Sequence, residues 1–193
     1  MQQEFDVDIQ WMPFELNPNI GPGGWSLPPV IRAKMADPRN PLFRMAEELG
    51  LPPLRHQDVV PTSRLALEAT TVARDHRGDT AFKKAVFHRY WAKGEDISKL
   101  PVLLAAAEEA GVPTAAVEAA ITGRTRRGLV DRLIHDAHAL GIHAVPTTVL
   151  AGQFAVSGAQ PYAVFERALQ QLGVPRRRDV AQAPDKDTNP VRN

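Results

Sequence analysis

The sequence contains no cysteine. That excludes structural disulfides, thiolate metal sites, cysteine nucleophiles and any redox cycle run by this chain alone. Charge of one sign is also missing: 23 Lys and Arg stand against 22 Asp and Glu, a formal net charge of +1, so electrostatics give no reason to expect nucleic acid or an acidic membrane surface as a partner. No apolar run approaches the roughly 20 residues needed to cross a bilayer. The opening residues, Met1 to Asp6, are polar and acidic, unlike a secretory signal, and the expected location is cytoplasmic. What is present is an ordinary globular balance. Hydrophobic residues make up 44% and charged residues 23% of 193, enough for one domain with a real core.

Seventeen prolines and thirteen glycines punctuate this chain. Val7 to Met12 largely alternates apolar and polar residues, which predicts a half-buried strand ending near Phe14, since Pro13 weakens a ladder. Asn17 to Pro29 reads as an irregular connection. A helical block comes next. Pro41 to Leu49 is a short helix stopped by Gly50. Thr62 or Ser63 caps a helix to about Arg77, with Leu65, Ala69, Val72 and Ala73 on one face. Asp79 caps the next, whose apolar stripe is Phe82, Val86, Phe87, Tyr90 and Trp91, and Gly94 ends it. Further helices begin after Ser98 and at Thr114, and another runs from Arg126 to Leu140.

After Gly141 the pattern changes. Thr147 to Leu150 and Phe154 to Val156 are short strands joined by Ala151-Gly152-Gln153, a hairpin. Pro161 suits the first turn of a helix burying Val164, Phe165, Ala168 and Leu169. From Val174 onward there is little to bury, and a disordered tail is expected over 173–193. Pro146 cannot donate to a ladder and so belongs at the start of its strand. A cis bond at Val145-Pro146 would leave the Val145 N–H and C=O facing outward, free to pair with an extended peptide.

Val145-Pro146, the hairpin and Ser157-Gly158-Ala159-Gln160 together resemble the end of the DsbA-like thioredoxin family (the 2-hydroxychromene-2-carboxylate isomerase / DsbA-like thioredoxin domain family), most of all its FrnE-like branch. Trp11-Met12-Pro13-Phe14-Glu15-Leu16-Asn17-Pro18 is similar to the branch's strand and exit loop. Ser63 to Ala69 and Phe87 to Ile97 resemble two helices of its insertion. The resemblance covers about residues 7 to 172. It implies an α/β thioredoxin-like fold, residues 1–172, with an all-helical insertion at about 41–140. The family role it implies is thiol–disulfide exchange on protein or peptide thiols. In that family a Cys-Pro-x-Cys motif comes after the first strand and opens the first helix, where the helix N-terminus stabilises the thiolate. The matching N-terminal strand–helix unit, roughly 30 residues, is absent here, and the chain begins at about the second strand.

The resemblance therefore gives no catalytic residue. It assigns substrate contact to Val145 and Pro146, and by motif to Phe14, Asn17, Gly158 and Gln160. No cofactor and no metal is indicated; His135 and His138 lie three apart on a helix face but lack a further ligand set. Three readings stay open. One is an oxidoreductase recorded from a late start. Another is a cysteine-less protein binding peptides or thiol compounds at Val145-Pro146 and the last helix's N-terminus, with a second copy able to complete the sheet. The third is a relative of glutathione-dependent isomerases or kappa-class transferases. His143, three residues before Pro146, is a further candidate at that site. Arg124, Arg126, Arg127 and Arg176 to Arg178 read as solvated surface and tail.

Overall fold

Tight glycine-led stops divide the chain into short helices. In the computed structural model, residues 1–177 are described. A two-residue strand β1 (Trp25–Ser26) is followed by α1 (Pro29–Ala36), α2 (Pro41–Glu48), β2 (Val59–Val60), α3 (Arg64–Asp75) and α4 (Asp79–His88). Then come α5 (Leu100–Glu109), α6 (Thr114–Thr122), α7 (Arg127–Ala139), β3 (Thr147–Leu150), β4 (Phe154–Ser157) and α8 (Tyr162–Gln171). Gly94 and Gly141 sit at φ 72° and 76°, the left-handed geometry that ends α4's extension and α7 at little steric cost. The chain forms two compact units: Trp11–Gly141, and Met1–Gln10 with the chain from Ile142 onward.

The larger unit is built on α3 to α6. Its core joins Ala66, Ala69, Val72 and Ala73 of α3 to Phe82, Ala85 and Val86 of α4, Leu103, Ala106 and Ala107 of α5, and Val117 and Ile121 of α6. The many alanines let helix axes approach closely, and Phe82 and Leu103 fill the space between them. Residues 11–40 cluster with these helices in the same compact unit. β1 pairs antiparallel with β2 across more than thirty intervening residues, a pairing with no local sequence signal.

Beyond α4 the helix widens into a single π-turn, Arg89–Lys93. A π-turn withdraws carbonyls from the i→i+4 ladder. Here the Tyr90 carbonyl accepts from Gln57 Nε2 at 2.9 Å and the Trp91 carbonyl from the Arg55 amide at 2.6 Å.

Three expectations about this unit are corrected. Asp79 does not cap α4; Gly78 holds the N-cap and Asp79 lies in the first turn, where its charge favours the helix dipole. Phe87 is not part of the buried stripe: it is 55% exposed, because it turns away from the face that carries Phe82 and Val86 into the core. Arg124 and Arg126 are not simply solvated. Arg124 bonds the buried Glu68 at 2.9 Å, and Arg126 bonds Asp75 at 2.6 Å.

The smaller unit packs the β3–β4 hairpin and α8 around Phe5, Leu150, Ala168 and Leu169, with Val7, Val156 and Val174 against them. The expected strand from Val7 to Met12 does not form. Alternation makes a segment able to be a strand, but a ladder needs a neighbour, and β3 and β4 form a two-stranded sheet of their own. The expected disordered tail over 173–193 is corrected at its start. The Asp6 amide bonds the Pro175 carbonyl at 3.2 Å, the Arg177 amide bonds the Glu4 carbonyl at 2.9 Å, and Arg176 pairs with Glu4 and Glu166. Arg176 also lies over the Phe5 ring. Residues 178–193, including Arg178, lie outside the described residues. No helix among the described residues is long and apolar enough to cross a membrane.

Candidate functional site

α7 stops at Gly141, and the chain reaches β3 through Ile142-His143-Ala144-Val145-Pro146. The Val145-Pro146 peptide bond is cis. Thr147 Oγ1 donates to the Ala144 carbonyl at 2.8 Å and pins the turn from the strand side. On the other strand, Gly158 has φ 81°, a conformation side chains disfavour, and its amide donates to the Pro146 carbonyl at 2.8 Å. Gln160 Nε2 donates to the Ser157 carbonyl at 3.1 Å and closes the corner before α8. Among the described residues no hydrogen-bond partner is found for the Val145 amide or carbonyl, and the residue is 47% exposed.

The hydrogen bond from Gly158 fixes which way β3 faces. The register pairs Thr147 with Ser157, Thr148 with Val156, Val149 with Ala155 and Leu150 with Phe154. With the Pro146 carbonyl turned toward β4, alternation turns the polar groups of Thr148 and Leu150 inward as well. Thr147 and Val149 then present N–H and C=O to the opposite edge. Among the described residues that edge has no paired strand. Thr147 and Val149 thus offer backbone donors and acceptors on that edge, with the unpartnered Val145 just before them in the chain, and such groups are the chemistry that recognises an extended polypeptide.

Of the residues marked in the sequence, Val145, Pro146, Gly158 and Gln160 come together at this loop. Phe14 and Asn17 belong to the other unit. Phe14 meets the His138 ring edge-on at 5.2 Å, and the Asn17 side chain accepts from the Asn19 amide at 3.2 Å within its own turn. Thr147 was missed: its hydroxyl holds the turn and its backbone faces the free edge, and its place directly after Pro146 was the signal available. At the start of α8 no side chain caps the helix.

The family model for the DsbA-like thioredoxin domain matches residues 1–170. The chain belongs to the DsbA-like thioredoxin family. Within it, the chain is 30% identical over 168 residues to the uncharacterized protein YwbO of Bacillus subtilis, covering 85% of this chain and 82% of that one. Among solved structures it is similar to a probable DsbA oxidoreductase from Streptomyces coelicolor, with a TM-score of 0.72, 24% identity, and coverage of 83% of this chain and 73% of the other. It is similar to a 2-hydroxychromene-2-carboxylate isomerase at TM-score 0.58, 22% identity, over 74% and 68% of the two chains. The cytosolic disulfide reductase DsbM from Pseudomonas aeruginosa aligns at TM-score 0.52, 23% identity, over 78% and 82%. These likenesses establish the α/β, helix-rich DsbA-like fold. DsbA-family relatives are disulfide oxidoreductases, and this cysteine-free chain supplies no thiolate of its own for that reaction.

Proposed function

We propose that this DsbA-like protein binds extended stretches of protein or peptide thiol substrates along the open edge of β3, beginning at Val145, and that it does so without redox chemistry of its own. The observation carrying this reading is Val145, an exposed residue whose amide and carbonyl have no hydrogen-bond partner among the described residues, placed just before the outward groups of Thr147 and Val149. The Gly158 amide ties the Pro146 carbonyl to β4, and Gln160 holds the corner. Phe14 and Asn17 are proposed as lesser contacts on motif resemblance alone. Likeness to a cytosolic disulfide reductase favours a cytoplasmic setting.

Backbone recognition has a clean test. A labelled extended peptide is titrated into the full chain by fluorescence anisotropy, beside the same peptide N-methylated at alternate residues. N-methylation on the phase that faces β3 should abolish binding, and on the other phase should leave it largely intact. Equal binding of both N-methylated forms would sink the proposal. A second copy of this chain competes for the same edge; its occupation would appear as a dimer in sedimentation that the unmodified peptide dissociates.

A further inference from the structure

The helical unit has a cavity of about 630 Å³, within the size range of small-molecule sites. We propose that it binds a small organic anion, a carboxylate or phosphate head on a short apolar body. This inference does not rest on the peptide-binding reading.

Four cations line the cavity: Arg64, Lys99, Arg124 and Arg127. A carboxylate, Glu15, lines it with them. Glu68 is fully buried, its Oε1 held by Arg124 at 2.9 Å and Arg64 at 3.4 Å, and Glu15 is nearly buried against Arg64 at 3.1 Å. Asp131 is shared between Arg64 and a more distant Arg127 at 3.9 Å, and Asp96 takes Lys99 at 3.5 Å. Glu68 and Glu15 are the buried partners, while the side chains of Arg124, Arg127 and Lys99 are well exposed. Each guanidinium carries five N–H donors, and the contacts to Glu68 and Asp131 leave Arg124 and Arg127 with donors to spare.

The backbone adds to this. Arg124 comes after Gly123 at the end of α6 with φ 51°, a left-handed conformation unfavourable for a non-glycine residue. An arginine held there at a cost, bonded to a buried carboxylate, is the kind of strain that accompanies ligand sites. The remaining wall suits an amphipathic ligand, since Thr62 and Ser98 bring hydroxyls, and Ile20 and Leu65 an apolar lining.

The test titrates the full chain, at low ionic strength, with hexanoate and with hexyl phosphate as separate probes and hexylamine as the cationic control, monitored by amide NMR shifts. Saturable one-to-one binding of either anion is expected, and which one saturates identifies the head group. Affinity should fall roughly tenfold in Arg127→Ala or in Lys99→Ala, both exposed positions whose replacement leaves the far-UV circular dichroism unchanged. The proposal is overturned if neither anion saturates, if hexylamine binds as well as the anions, or if both variants bind like the parent chain.

Discussion

The Gly158 amide donates to the Pro146 carbonyl at 2.8 Å, and that bond sets the orientation of the whole of β3. It extends the β3–β4 ladder one step past the Thr147–Ser157 pair, and so assigns each residue of the strand to the paired or the open edge. Gly158 reaches this position with φ 81°, and a Cβ added there would come 3.5 Å from Gln160 Nε2, an ordinary contact. The obstacle to a side chain is therefore conformational rather than steric crowding. Gly158→Ala is expected to lose about 1–2 kcal/mol of stability and to weaken peptide binding at Val145. Urea denaturation checks the first outcome and the anisotropy titration the second.

The core of the helical unit distinguishes two phenylalanines that share one helix. Phe82 is fully buried and Phe87 is 55% exposed. Phe82→Ala is expected to destabilise by about 3–5 kcal/mol, through lost burial and the cavity left behind. Phe87→Ala should stay within about 0.5 kcal/mol of the parent chain. Equal losses in chemical denaturation would contradict this placement of α4.

Glu68 is a buried carboxylate shared by two arginines. Glu68→Gln keeps the shape and removes the charge, leaving Arg64 and Arg124 facing a neutral amide. A loss of about 2 kcal/mol is expected, in the range for hydrogen bonds to charged groups, since Arg124 is partly open to water. Thermal unfolding at several salt concentrations is the check: this inner contact should be less salt-sensitive than the exposed Arg39–Asp37 pair.

Lys83 sits over the Trp11 ring, and partial burial pulls its ammonium down to about 8, with Asp79 opposing the shift and Lys84 adding to it. Between that value and the ordinary 10.5, the folded chain binds fewer protons than the unfolded one. This group's contribution to stability therefore rises as pH climbs through that window. Because about half of Lys83 is already neutral near pH 8, brief acetylation there should label it ahead of Lys84, as read by peptide mass spectrometry.

The features visible in the sequence were mostly local. The helix stops at Gly94 and Gly141, the Ala151-Gly152-Gln153 turn and the Pro146-led strand depend on backbone preferences within a few residues, and each appears in the structure. The motifs that mark the family are of the same local kind. Val7 to Met12 failed because pairing is a property of two segments, and alternation describes just one. Phe87 failed because an aromatic run does not say where a narrow helix face ends. The Arg124–Glu68 bond joins residues 56 positions apart, and pairing of that range leaves no trace in spacing. Val174 to Arg177 looked unburiable, yet its contacts with Glu4, Phe5 and Asp6 are backbone bonds and ion pairs that composition does not weigh.

The π-turn at Arg89–Lys93 makes this stretch sensitive to length more than to identity. Each residue added to a helix rotates the rest of the chain by about 100° around the axis. Removing one residue would restore the regular ladder, reclaim the Tyr90 and Trp91 carbonyls and leave Arg55 and Gln57 without acceptors. In the descent of such chains, this segment should accept many substitutions and almost no gain or loss of a single codon.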